Sequence, residues 1–172
     1  MTVVISASGV SVDGSALGTG GGKINQVVQH FKSDAFTSTS TSYTTILTAD
    51  ITPSAANSKV LLICSMALTN NYQSNHAYFS FHRDSTIVGA GDSAGSRTGA
   101  GIVYTEGVLH SQQPQSMIFL DSPSSTSSIT YTVKGKDSNG NGYWVNRSQR
   151  DNDAAAYDGR ASSSLTLMEI LA

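Results

Sequence analysis

At 172 residues, the chain has room for one domain and a short extension, and a single core at this size buries roughly two-thirds of the unfolded surface. Only 13% of its residues are charged, against the ~25% typical of globular domains, and Ser, Thr, Gly and Asn, which favour turns and pleated half-exposed surfaces, fill the difference. The net charge is −2 and the ten Lys and Arg are scattered, so the clustered cations that phosphate binding needs are missing and no nucleic-acid partner is expected.

Residues 1–22 read as an N-terminal attachment tail and Gly-rich linker, and 23–172 as a head domain. Val3 to Val12 alternates weakly, with Val3, Val4 and Ile5 as candidate attachment contacts; Gly14, Gly18, Gly20, Gly21 and Gly22 then form a permissive hinge. Such a segment buries too little to fold alone, so it is expected to order by docking on a partner or on copies of itself. Met1 to Ser6 lacks a basic n-region and a long apolar core, so no signal peptide is expected. No apolar stretch approaches the ~20 residues of a membrane helix, and membrane insertion is not expected.

From Lys23 onward, strand-like runs alternate with turn-rich breaks. The runs are Ile24 to Phe31, Tyr43 to Ile51, Val60 to Leu68, Ala77 to His82, Thr86 to Val88, Ile102 to Leu109, Met117 to Leu120, Ile129 to Lys136, Tyr143 to Asn146 and Leu165 to Leu171. Val60 to Leu68 is continuously apolar and predicts a central strand buried on both faces. Ala77, Phe79 and Phe81 alternate with Tyr78, Ser80 and His82, and Ile129, Tyr131 and Val133 form the plainest alternation. About ten short strands without a long period-3.6 stretch predict an all-β fold, an antiparallel sandwich of jelly-roll-like type. The segments Gly89 to Gly101 and Gln149 to Ala161 predict long loops, the usual place for binding on a rigid sandwich.

Several motifs invite a chemical reading and fail it. Gly18 to Lys23 resembles a phosphate loop, but position 17 is Leu and Lys23 is followed by Ile24 rather than Ser or Thr. Asp137-Ser138-Asn139-Gly140-Asn141-Gly142 matches half of a calcium loop, whose twelfth position requires Glu and here is Ser148. Its two Asn-Gly pairs predict a hairpin tip instead. His30, His76, His82 and His110 lack close metal-ligand spacing, and His30 and His82 are expected to be structural. Cys64, the single cysteine, is expected to act as a small buried hydrophobe. No Gly-x-Ser-x-Gly elbow is present. Asp151, Asp153 and Asp158 share a loop with Arg147, Arg150 and Arg160; pairing that pins the loop is expected rather than a glycosidase carboxylate pair about 5–10 Å apart. No metal, cofactor or catalysis is expected.

One resemblance spans residues 22–172. Gly22-Lys23-Ile24-Asn25-Gln26-Val27-Val28, Tyr43-Thr44, Ile51-Thr52-Pro53-Ser54 and Ser58-Lys59-Val60-Leu61-Leu62 occur in that order. Arg83-Asp84-Ser85-Thr86, Gly89-Ala90-Gly91-Asp92, Phe119-Leu120-Asp121-Ser122-Pro123, Val145-Asn146-Arg147-Ser148 and Leu165-Thr166-Leu167-Met168-Glu169-Ile170 follow. In order and spacing the set resembles the C-terminal head module of tail-fibre-like virion proteins of cyanophages and other aquatic phages. The resemblance implies a non-catalytic, homotrimeric head on a tail fibre or fibre tip, assembled in the host cytoplasm and binding a host surface glycan, with other virion proteins held by residues 1–22. A capsid decoration or connector protein is the alternative it allows, because fibre proteins carry a longer shaft. Candidate receptor contacts are Tyr72, Asn75, Tyr143, Trp144, Arg150 and Tyr157, chosen for stacking faces and amide donors at loop positions.

Overall fold

The computed structural model describes residues 23–71, 75–105, 111–153, 156 and 158–171, together with the strand backbone of three short N-terminal segments. Those three, β1 (Val3–Ser6), β2 (Gly9–Val12) and β3 (Ser15–Ala16), pair antiparallel with one another and share no strand with the larger sheets. The remaining strands form two antiparallel sheets in a sandwich-like arrangement, and there is no helix among the described residues.

The first sheet contains β6 (Thr44–Ile51), β8 (Ala77–Arg83), β9 (Thr86–Val88), β10 (Ile102–Tyr104) and β12 (Ile129–Asp137), in the order β10-β8-β12-β6 with β9 also on β8. The second contains β4 (Ile24–Lys32), β5 (Phe36–Ser38), β7 (Lys59–Asn70), β11 (Gln113–Asp121), β13 (Tyr143–Val145) and β14 (Ser163–Ile170). Strand β7 is its spine. β11 runs along one side of β7, while β14 and β13 pair in succession with the N- and C-terminal parts of the other side. β4 then pairs β14 and β5 pairs β13, so this sheet is four strand positions wide.

Alternation explains the core. Val60, Leu62, Cys64, Met66 and Leu68 of β7 point inward with Leu165, Leu167, Tyr143 and Val145, against Leu47, Ile51, Phe79, Phe81, Tyr131 and Val133 of the opposite sheet. Cys64 is fully buried, and burial pushes its thiol up to about 12. A disulfide reagent at pH 8 should therefore leave the native thiol unmodified and titrate one thiol per chain in denaturant. Rapid reaction of the native protein would contradict this packing.

Two expectations are corrected. β7 is central but not buried on both faces: Leu61, Ile63 and Ala67 on its outer side are half-buried and Ser65 is exposed. Its hydrophobicity, interrupted only at Ser65, reflects a largely apolar outer surface rather than a third layer. Second, Asn139 to Gly142 is not a hairpin tip, because β12 belongs to the first sheet and β13 to the second. The Asn-Gly pairs do make a tight turn, with Gly140 and Gly142 at positive φ (86° and 99°), but the turn carries the chain across the sandwich.

Buried polar groups knit the sheets together. Asp121 of β11 accepts both contacts from Arg83 Nη1, at 3.0 and 2.9 Å, and the Tyr131 hydroxyl at 2.6 Å, linking the two sheets. Glu169 of β14 is fully buried; Asn25 and Gln26 of β4 and both the amide and hydroxyl of Ser54 donate to it at 2.6–2.9 Å. His30 Nδ1 lies within hydrogen-bond distance of Thr48 backbone atoms, joining β4 to β6 at the sandwich edge, and His82 is buried with its ring edge-on to Tyr43 at 4.9 Å.

Candidate functional site

The C-terminal ends of β7, β12 and β13 lead into three connections whose described residues, 71 with 75–76, 138–142, and 146–153 with 156 and 158–162, meet through the contacts of Asn71, Asn75 and Asp137. Asp137 organises their junction. Its Oδ1 accepts the backbone N–H groups of Asn139, Gly140 and Asn141 at 2.8, 2.7 and 3.2 Å. Its Oδ2 accepts the N–H of Gly142 at 2.9 Å and Asn75 Nδ2 at 2.7 Å. Asn75 Nδ2 also donates to the Gly142 carbonyl at 2.9 Å, while Asn71 binds 138–142 through its N–H to the same carbonyl at 3.2 Å. Burial raises the Asp137 pKa, but the donors from Asn139, Asn75, Gly140 and Gly142 outweigh it and hold the carboxyl below its ordinary value.

The same donors explain why the half-motif for calcium is not a calcium site. Both carboxylate oxygens already face N–H groups, and a cation there would meet the positive ends of five dipoles. Among the described residues, no group of three or more His, Cys, Asp or Glu is placed to hold a metal.

The third loop is pinned by ion pairs. Asp158 accepts Arg150 Nε and the N–H of Asn152, at 2.8 and 2.9 Å, and the Ser148 hydroxyl at 3.1 Å. Asp151, at φ 48°, lies between Arg147 (3.4 Å) and Arg160 (2.8 Å). Burial raises the Asp158 pKa, yet the donors from Asn152, Arg150 and Ser148 leave it lowered. A carboxyl held ionised in this way is poorly suited to general-acid work, whereas pairing that fixes a loop is what the alternating Asp and Arg predict. Gln149 Nε2 donates to Asn71 Oδ1 at 3.1 Å, and Gln112 Nε2 donates to the Gly159 carbonyl at 2.6 Å, so neighbouring segments hold this loop too.

The loop begins at Asn146, which the sequence reading placed at the end of the strand-like run Tyr143 to Asn146 and gave no further role; the strand ends one residue earlier, at Val145. At φ 63° and fully buried, its Nδ2 donates to the carbonyls of Lys32 and Asp34, at 3.0 and 3.1 Å, and its Oδ1 accepts the Ser163 hydroxyl at 2.6 Å. Its side chain thus fills the breaks between β4 and β5 and between β13 and β14. The signal was an Asn directly after a strand, a residue that tolerates the left-handed region.

The candidate receptor contacts separate into three groups. Asn75 and Tyr143 are 1% and 0% exposed, so they build the scaffold and offer no free face. Tyr143 stacks edge-on with Phe79 at 5.1 Å. Trp144 and Arg150 are partly exposed on this end of the molecule, Arg150 tied to Asp158. Tyr72 and Tyr157 lie outside the described residues, as do the side chains of Val3, Val4 and Ile5, whose backbone forms β1.

The fold and this loop cluster define an all-β sandwich whose loop end is braced by hydrogen bonds and internally paired charges. No protein-family model matches the chain, and no curated protein matches it.

Proposed function

We propose that the protein is a non-catalytic virion protein: the homotrimeric head of a phage tail fibre or fibre tip, which binds a host surface glycan and is anchored to other virion proteins by residues 1–22. The observation that supports this reading is the meeting of Asn71, Asn75, 138–142 and the described residues of 146–162 at one end of the sandwich, braced mainly by amides, hydroxyls and internally paired charges. A braced loop loses little entropy on binding, and its amides and hydroxyls match the hydrogen-bonding groups of a sugar. The resemblance of the ordered motifs to phage fibre heads suggests the biological setting.

The test is adsorption of fluorescently labelled protein to candidate host cells, competed with unlabelled protein. Saturable binding that also blocks infection is the expected result. Tyr72→Ala or Tyr157→Ala should weaken it on the order of tenfold, the scale of losing one aromatic anchor, with the oligomer unchanged. No binding by correctly folded oligomer would remove the receptor reading in favour of a particle-stabilising role.

A further inference from the structure

The two outer faces of the sandwich differ. On the first sheet, Tyr43 lies over His82, its hydroxyl 3.4 Å from Ser80, and Lys136 Nζ sits 5.1 and 5.6 Å from the Tyr43 and Tyr78 ring centres. That face is capped by its own chain and carries cations. On the second sheet the register across β4, β14, β7 and β11 aligns Val27, Met168, Leu61 and Leu120 in one row. The next row is Gln29, Thr166, Ile63 and Ile118, and the third is Phe31, Ser164, Ser65 and Ser116. Ile118 is 68% exposed, Phe31 61%, Val27 55% and Leu120 46%. None of these three rows contains a charged residue; Lys59, paired with Ile170, marks the border.

We infer that this face is where copies of the chain associate, each covering the apolar rows with the same face of another. Three features favour a copy of itself over a different partner. An uncharged face meets no like charge when it meets its own image, so symmetric burial leaves no unpaired ion. A twisted sheet also finds in an identical sheet a surface of the same twist, the geometry by which sheets pack face to face about 10 Å apart. Finally, four strand positions by about six residues make a footprint of roughly 20 by 20 Å, and two such faces with their side-chain relief bury on the order of 1,000 Å², enough for a specific interface. Same-face packing is isologous and closes as a dimer, so the inference shares with the proposed function only self-association and competes with its trimer.

The test is mass by light scattering on a sizing column, over a hundredfold range of concentration. The wild type should run as a stable dimer, and a trimer would speak against same-face packing. Ile118→Lys on β11 and Val27→Lys on β4 should each shift it to monomer with the β-sheet circular dichroism retained. Val103→Lys, on the other sheet's outer side and 49% exposed in the wild type, should leave the mass unchanged. A dimeric mass with this pattern supports the inference while removing the trimer from the proposed function. A wild type that stays monomeric would overturn it, leaving the face to residues 1–22 or to an unrelated protein. So would an oligomer indifferent to both β-face substitutions.

Discussion

Replacing Asp137 with Ala is expected to lower stability by about 3 kcal/mol, the scale of losing several charge-assisted hydrogen bonds around one buried carboxylate, and Tm by roughly 10 °C for a domain of this size. Five donors lose their acceptor at once. Those of Asn75 and Gly142 matter most, since both residues are buried and cannot turn to water. Asp137→Asn should fall between, because its carbonyl oxygen can serve one group of donors while its amide confronts the other. Thermal unfolding of the three proteins checks the order. An Ala variant within a degree or two of wild type would mean that the 138–142 turn holds its shape without the carboxylate.

Glu169→Gln should cost about as much, roughly 3 kcal/mol, by placing a donor amide at a buried point where the Asn25 and Gln26 amides and the Ser54 N–H and hydroxyl all converge as donors. Glu169 carries an acid signature as well. Burial raises its pKa, but Asn25, Ser54 and Gln26 donate to the carboxylate strongly enough to hold it far below the usual range. In the unfolded chain a glutamate titrates near ~4.3. Below that pH the unfolded state binds the proton that the folded state refuses, so this contribution is complete above about pH 5 and is lost as the pH falls through the acid range. Denaturant midpoints at pH 7 and pH 3 measure it. The wild type should lose stability between them, and Glu169→Gln should lose less, since one of its acid-sensitive groups is gone. Equal acid losses in the two proteins would contradict the assignment.

The strands were legible because alternation is a local property. Tyr131 and Val133 announce an inward face within five residues, and the end of the chain declares itself a strand through Leu165 and Leu167. Even the inward turn of Tyr143 was readable, since it shares parity with Val145 and leaves Trp144 outside; its aromatic ring drew it wrongly into the candidate contacts. What stayed hidden depends on distant partners. An Asn-Gly pair specifies a turn but not which sheet receives the next strand, so the crossing from β12 to β13 could not be seen. Glu169 looks like an ordinary surface acid until its donors arrive from 115 to 144 residues away. Asn75 gave no sign of its role, because a buried amide serving Asp137 and an exposed one read identically.

The pairing of β4 with β14 sets a rule for biosynthesis. Leu171 donates its N–H to the Lys23 carbonyl at 2.9 Å, so the sandwich closes on its own beginning. β14 is the slat between β4 and β7: β7 already has β11 and β13 as partners, but β4 pairs only with β14 and cannot join its sheet until Ser163 to Ile170 has left the ribosome. The first sheet and the β7–β11 ladder need nothing from β14, so it is β4 that must wait unpaired while the rest of the chain is made. The low density of charged residues, which helps the finished surface, is a hazard in that interval, and the arrival of β14 is the moment at which the second sheet closes.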